Sequence, residues 1–577
     1  MATTKRKDLY MMGGARIDSG QILLGSSMII LMVSVAMPML MVFINTFFYK
    51  GSFDLNLIGR IVLNPANAEA ILNTLKVSFS VTVIGTILGV FFAWLSGRSN
   101  IPLKKTMKAL FMVPYMFPPF IGAMAWALLL GGRSGYLNKF FMEITGGRTP
   151  LFNINSLAGI IFVEICYYFP FVFMQVSSAL ERMDPTLEEA ARIAGVGQLY
   201  VIRKITLPLV KPAIAAGAML ILISSISHFG VPAILGFSRN IFVLPTKIYK
   251  LIYASAGSFE GIREGAALSI VLVFFVLLAL ALQRRVLQGG HFEVIHGKSM
   301  RPALVNLRQF KYPLLLVSIA FLAFVTLLPL LMIFTSAFLK VVGLPITISN
   351  MTVDNFKELS HSKMVRDAVL NSAFLSISAA TIVMLVGTMI AYVIVKVETK
   401  GKRLLGILKG VLEILSVLPY SIPGIVLAVG VILTWSGAFK VNLYNTIWII
   451  LIAYLARYMA FAMKSASASL EQVHNSLEEA ARSCGSTYWE TLRDITLPLI
   501  KPGMIAGFLL VFLPAMRELT TSLLLYGPFT RTLGVAIYSV YEEGNTAQAC
   551  GLAAIAITII MLGQLALMFI TRERKGR

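Results

Sequence analysis

Ionisable side chains interrupt stretches that are otherwise apolar, and Glu164, His228, Arg457, Arg517 and Glu518 stand out among them. A charge surrounded by hydrocarbon is costly, so such residues pair with one another or mark a path for ions or polar cargo. Their positions are related. A stretch around 187–217 repeats at 477–507 with a constant offset of 290, and under it His228 corresponds to Glu518, Arg517 to Ser227 and Arg457 to Tyr167. Tyr167 stands one helical turn from Glu164, which places Glu164 and Arg457 at similar depth on facing helices. Two readings of that pair stay open: an internal fastening between two halves, or the lining of a translocation path. For His228 and Glu518, with Ser224, Ser225, Thr520 and Thr521 around them, the path reading is preferred, as a polar gate on a pseudo-twofold axis.

No constellation for covalent catalysis accompanies these groups. Cys166, Cys484 and Cys550 are isolated, fit neither a disulfide framework nor a metal cluster, and read as small apolar fillers. Gly297-Lys298-Ser299 lacks the upstream glycine that a phosphate-cradling loop needs, since residue 292 is Phe. ATP hydrolysis on this chain is not expected, and no cofactor or bound metal is expected either. His291, His296 and His361 read as solvated loop residues, while His474 stands where it can help cap a helix.

The repeat itself carries the clearest signal. LEEAARIAGVGQLYVIRKITLPLVKP at 187–212 and LEEAARSCGSTYWETLRDITLPLIKP at 477–502 align without a gap, with 17 identities over the 31 positions 187–217 and 477–507. Each copy predicts a short helix. In the first, Asp184 caps, Pro185 suits the first position, and Glu188 and Glu189 complement the helix dipole. In the second, Asn475 or Ser476 caps, and Glu478 and Glu479 follow. Gly195 and Gly485 are placed to end the helices in a left-handed conformation.

An ordinary amphipathic connector would not stay this similar between two copies that diverge elsewhere; a shared partner supplies the constraint. Glu189-Ala190-Ala191 with Gly195, and Glu479-Ala480-Ala481 with Gly485, each followed by a Leu-Pro step, resemble the signature loop of binding-protein-dependent ABC importer permeases. The resemblance covers essentially the whole chain. It implies a type I importer-like fold and makes Glu188, Glu189, Ala190 and Gly195, with Glu478, Glu479, Ala480 and Gly485, the ATPase-docking positions. It further implies two copies of a separate ABC ATPase carrying ATP-Mg, and a periplasmic or lipid-anchored substrate-binding protein. Phe229-Gly230-Val231-Pro232-Ala233 and Arg517-Glu518-Leu519-Thr520 are most similar to ferric-iron-type permeases. Phosphonate, polyamine and sulfate-type importers share similar layouts. Ferric iron prefers carboxylate and phenolate oxygens, which Glu164, Tyr167, Tyr168 and Glu518 could offer; packing is an equal reading for the two tyrosines. A different class, the ion-coupled secondary transporter, also has parallel six-span halves but needs no duplicated docking loop.

The elements that must position these residues are membrane helices. The chain has 577 residues, 57% hydrophobic and 13% charged, and its apolar residues fall in blocks of about 20, the length that crosses a bilayer as a helix. The fold class expected is all-α and polytopic, with about twelve spans as two parallel six-helix repeats. The first six lie near 23–45, 71–96, 109–130, 156–180, 212–236 and 265–283, and the second six near 313–338, 369–395, 410–435, 443–465, 503–526 and 548–571. The halves are 1–290 and 291–577, with docking loops about 181–211 and 471–501, and a basic linker over 284–312. Asn73, Ser78, Gly89 and Ala93 match Asn371, Ser376, Gly387 and Ala391 at offset 298, and Pro114-Tyr115…Pro118 matches Pro419-Tyr420…Pro423. Gly85 and Gly89 suit close helix packing.

The net charge of +23 does not point to nucleic acid. With both termini cytoplasmic, Lys and Arg are about twice as frequent in cytoplasmic segments as in external loops, which is the positive-inside bias. Lys5, Arg6 and Lys7 precede a first block long enough to span, so a cleavable leader is not expected. The location implied is a bacterial plasma membrane, with lipid as the surrounding partner.

Overall fold

In a computed structural model, residues 19–49, 52–54, 56–254, 258–288, 304–397 and 403–572 are described. Lys5, Arg6 and Lys7, the boundary at 290/291, His291, His296 and Gly297-Lys298-Ser299 lie outside the described residues. Among the described residues, eleven helices are long and apolar enough to cross a membrane, twelve if one pair bent by 93° counts as a single span.

The second and fourth spans of each half form its centre: Pro65–Arg98 against Leu157–Arg182, and Lys363–Lys396 against Ile447–Leu470. Side-chain caps start three of these helices, from Asn64, Ser156 and Ser362. Glycine sets their spacing. A Cβ on Gly89 would come within 2.7 Å of Val172 Cβ, and one on Gly387 within 2.9 Å of the Met463 amide nitrogen, so the expected close packing is present.

The third spans, expected near 109–130 and 410–435 with matched prolines inside each, are broken at those prolines. The first breaks into Lys104–Met116 and Pro119–Leu130; its counterpart breaks into Arg403–Ser421 and Gly424–Trp435. The matched prolines are the cause. Pro118 and Pro423 supply no amide hydrogen and force the preceding residue toward extended backbone, as at Phe117 (φ −86°, ψ 145°). The fifth spans also start and end earlier than expected, at Gln198–Ile226 and Trp489–Met516. His228 and Glu518 therefore sit just past the C-terminal ends of these helices, not early in them. Short helices, Gly230–Gly236 and Ser522–Leu525, continue the chain.

The two halves interlock through their first spans. Ile22–Phe47 lies against Gly424–Trp435 of the second half, where a Cβ on Gly430 would meet Pro38 O at 2.6 Å. Arg308–Ala337 lies against the first half, with Phe324 4.9 Å from Trp126 and Phe321 4.8 Å from Phe92 between ring centres. Each of the two apolar cores thus draws on both halves.

Matched hydrogen bonds confirm that the halves share one architecture. Asn73 donates to Phe242 O, and its counterpart Asn371 to Arg531 O. Thr74 Oγ1 accepts from the Leu244 amide at 2.8 Å, and Ser372 Oγ from the Leu533 amide at 2.7 Å.

Candidate functional site: two docking helices and a central charged cavity

The repeated loops fold as Thr186–Ile193 and Asn475–Ser483. Asp184 accepts from the Thr186 amide at 2.9 Å, and these local donors hold its carboxyl below the usual carboxylate range. In the second copy the cap is His474, whose Nδ1 accepts from the Ser476 amide; Asn475 and Ser476, expected as caps, lie inside the first turn. Both helices end alike. Gly195 has φ +78° and Gly485 φ +95°. The next amides, Val196 and Ser486, donate back to Ala191 O and Ala481 O, each at 3.1 Å.

The face each helix presents is now specific. Ala190, Gly195, Glu479, Ala480 and Gly485 are exposed and Glu189 is half-buried, and Ile193 is 88% exposed. Glu188 and Glu478 are buried and point inward, away from that face. Glu188 pairs with the buried Arg98 at 3.3 Å and accepts from Thr206 Oγ1 at 2.6 Å. Glu478 accepts from Thr496 Oγ1 at 2.9 Å and from the Tyr392 hydroxyl at 3.1 Å. Arg98 also donates to Met183 O, and at the matching position Lys396 donates to Val473 O. Each docking helix is thus gripped by the end of the second span behind it and the start of the fifth span after it. Cys484, at the C-cap of the second helix, is exposed and so is not a core filler; Cys166 and Cys550 are buried.

The intramembrane charges pair within halves, not across them. Glu164, fully buried, accepts from Ser225 and lies 3.0 Å from His228 Nδ1. Arg457 lies 3.4 Å from Glu518, which also accepts from the Tyr458 hydroxyl at 2.8 Å and from Thr521 twice at 2.9 Å. The expected facing of Glu164 and Arg457 is therefore not found, because each has a nearer opposite partner at the end of its own fifth span. The polarity is exchanged between the copies. In the first half the acid is on the fourth span and the base follows the fifth; in the second half these places are reversed.

A cavity of about 260 Å³ lies between the halves, lined by His228 and Tyr168 on one side and Arg457, Glu518 and Tyr458 on the other. Glu164 stands behind His228 and does not line it. Tyr167 packs against Gly122, so of the two tyrosines only Tyr168 reaches the cavity. Arg517 crosses between the halves and donates to Met116 O at 2.8 Å, at the break in the first half's third span. Among the described residues no group of three or more His, Cys, Asp or Glu is placed to hold a metal ion.

Arg98, Lys396, Tyr392 and Tyr458 were not singled out from the sequence, yet signals for some were present. Arg98 and Lys396 match at the same offset of 298 as Asn73 and Asn371, and Thr206 and Thr496 are identical within the repeat.

Residues 85–288 and 399–572 match the family model described as binding-protein-dependent transport system inner membrane component. A ferric transport system permease protein of Actinobacillus pleuropneumoniae is 27% identical over 566 residues, 97% of this chain and 79% of that protein. A Fe(3+)-transport system permease protein of Haemophilus influenzae is 26% identical over 540 residues, 92% of this chain and 95% of that protein. A putative 2-aminoethylphosphonate transport system permease protein of Salmonella typhimurium is 29% identical over 215 residues, 37% of this chain and 77% of that protein.

Proposed function

This chain belongs to the family of binding-protein-dependent transport system inner membrane components, and from that premise we propose that it is the permease of an ATP-driven importer of ferric iron. The observation that carries the mechanism is the pair of docking helices with matched ends, each tied by a buried glutamate to a threonine two turns into the next span. Two such helices call for two copies of one separate ATPase subunit, which binds ATP-Mg.

The docking helices and both chain ends then face the cytoplasm, and a binding protein delivers cargo at the opposite face. ATP-driven closure of the ATPase pair draws the docking helices together. Glu188–Thr206 and Glu478–Thr496 pass that movement to the fifth spans, whose far ends carry His228 and Glu518 at the central cavity. Those spans are 29 and 28 residues long, about 40 Å at the helical rise, so a tilt at one end is felt at the other. The chain makes no covalent bond with its cargo; its residues pair, part and line a path.

Iron as cargo is supported by similarity to two ferric permeases over nearly the whole chain. A second reading, 2-aminoethylphosphonate, is favoured by a relative that matches 37% of the chain. The deciding experiment reconstitutes the chain with its ATPase and binding protein in vesicles. ATP-dependent uptake of radiolabelled ferric iron is expected. Uptake of phosphonate instead would replace the cargo, and uptake driven by an ion gradient without ATP would overturn the importer class.

A further inference from the structure

On the face opposite the docking helices, a second cavity of about 580 Å³ lies between the halves. Two short helices bound it, Leu244–Ala254 and Leu533–Glu542. They are counterparts: Leu244, Ile248 and Tyr249 match Leu533, Ile537 and Tyr538 at offset 289, and the amides of Leu244 and Leu533 are held by the matched Thr74 and Ser372. Tyr249 and Tyr538 both line the cavity, so it straddles the pseudo-twofold axis. Tyr253, Tyr526, Glu542 and Glu543 also line it.

Tyr249, Tyr538 and Glu542 all line this one cavity, and Tyr253 stacks on Tyr249 with ring centres 5.5 Å apart. Two cations share the walls but rest against rings: Lys250 Nζ is 4.2 Å above Phe242, and the Arg531 guanidinium is 5.9 Å from the Tyr526 ring centre. The floor is Phe229, fully buried, with ring centres 5.3 Å from Tyr249 and 6.4 Å from Tyr538. Its neighbours His228 and Gly230 already border the central charged cavity. Phe229 thus stands between a tyrosine pair of the one cavity and chain neighbours that border the other.

We propose that this on-axis vestibule is an acceptance site for a hard, oxygen-coordinated trivalent cation, held by Tyr249, Tyr538 and Glu542 before Phe229 gives way to the central cavity. Phenol and carboxylate oxygens are the donors such a cation prefers. Each new oxygen–metal bond displaces a water from the cation, and the phenol protons pass to water, with no change of oxidation state. The proposal rests on the reading of iron as cargo and adds where on this chain it is first held.

Terbium(III), a hard trivalent ion without redox chemistry, is a suitable probe of the full-length chain, because tyrosine beside it sensitises its emission. One bound ion per chain is expected. Tyr249→Phe with Tyr538→Phe, and separately the exposed Glu542→Gln, should each weaken binding at least tenfold, while Lys250→Gln should not weaken it. Emission unchanged by the tyrosine and glutamate substitutions would overturn the site. So would protection by aminoethylphosphonate that is lost in Lys250→Gln or Arg531→Gln, since the pocket would then be one for anions. Iron uptake by the unmodified complex separates the two claims. Uptake without substitution-sensitive terbium binding removes the vestibule and leaves the cargo; sensitive binding without iron uptake removes the cargo and leaves the vestibule.

Discussion

Thr206 donates its hydroxyl to Glu188 at 2.6 Å, where both are buried, and this bond joins the docking helix to the first turns of the fifth span. Thr496 and Glu478 repeat it at 2.9 Å. The bond recurs across two diverged halves and ties each repeated helix to its fifth span at a definite atom pair, on the side of the helix that turns inward.

Thr206→Val with Thr496→Val should therefore leave ATPase docking intact and lower cargo-coupled ATP hydrolysis. Each lost hydrogen bond to a charged group is worth about 1.5–3 kcal/mol. The check compares co-purification of the ATPase with its stimulation by the loaded binding protein. Equal loss of both would mean the threonines support folding and not coupling.

Arg98→Ala should be the more damaging change at the same place. It leaves the Glu188 carboxylate buried beside Thr206 without its counter-charge, a loss of about 3–5 kcal/mol. Thermal unfolding in detergent measures it. Tyr392→Phe, which removes one donor from the Glu478 carboxylate, should cost about 1.5–3 kcal/mol, less than the loss of the Arg98 counter-charge.

Gly195→Ala and Gly485→Ala test the docking face directly. Nothing crowds a Cβ at either position, but the left-handed backbone costs an alanine about 1 kcal/mol. The combined variant should fold, lose its end geometry and bring down less ATPase. Undiminished capture would show that the face is read elsewhere.

The central cavity predicts unequal outcomes from equal-looking substitutions. Glu518→Gln leaves Arg457 without a counter-charge and should lower transport at least tenfold while the complex still assembles. Gly424→Ala should act on the same pair, since its Cβ would come within 2.6 Å of Arg457 Nη1. Near-normal transport by Glu518→Gln in reconstituted vesicles would remove the gate proposed for His228 and Glu518.

Arg517→Ala breaks the contact that crosses from one half to the carbonyl of Met116 in the other. It should raise basal ATP hydrolysis in the absence of cargo, because the closed arrangement between halves loses a tie. Unchanged basal hydrolysis would make Arg517 a local packing residue.

The sequence by itself determined the span count, the parallel repeat, the helical docking loops and their left-handed glycines. These follow from length, apolar content and local backbone preference, which are legible one segment at a time. It also located the intramembrane charges and matched His228 to Glu518. Only the tertiary structure decided how those charges pair, because partner choice depends on which helices touch. Glu164 takes His228 and Arg457 takes Glu518 across contacts 60 or more residues apart in the chain. The same holds for Glu188 and Glu478. A carboxylate in the first turn of an isolated helix reads as exposed; Arg98 and Tyr392, brought in from the second spans, turn it inward and make it a strut.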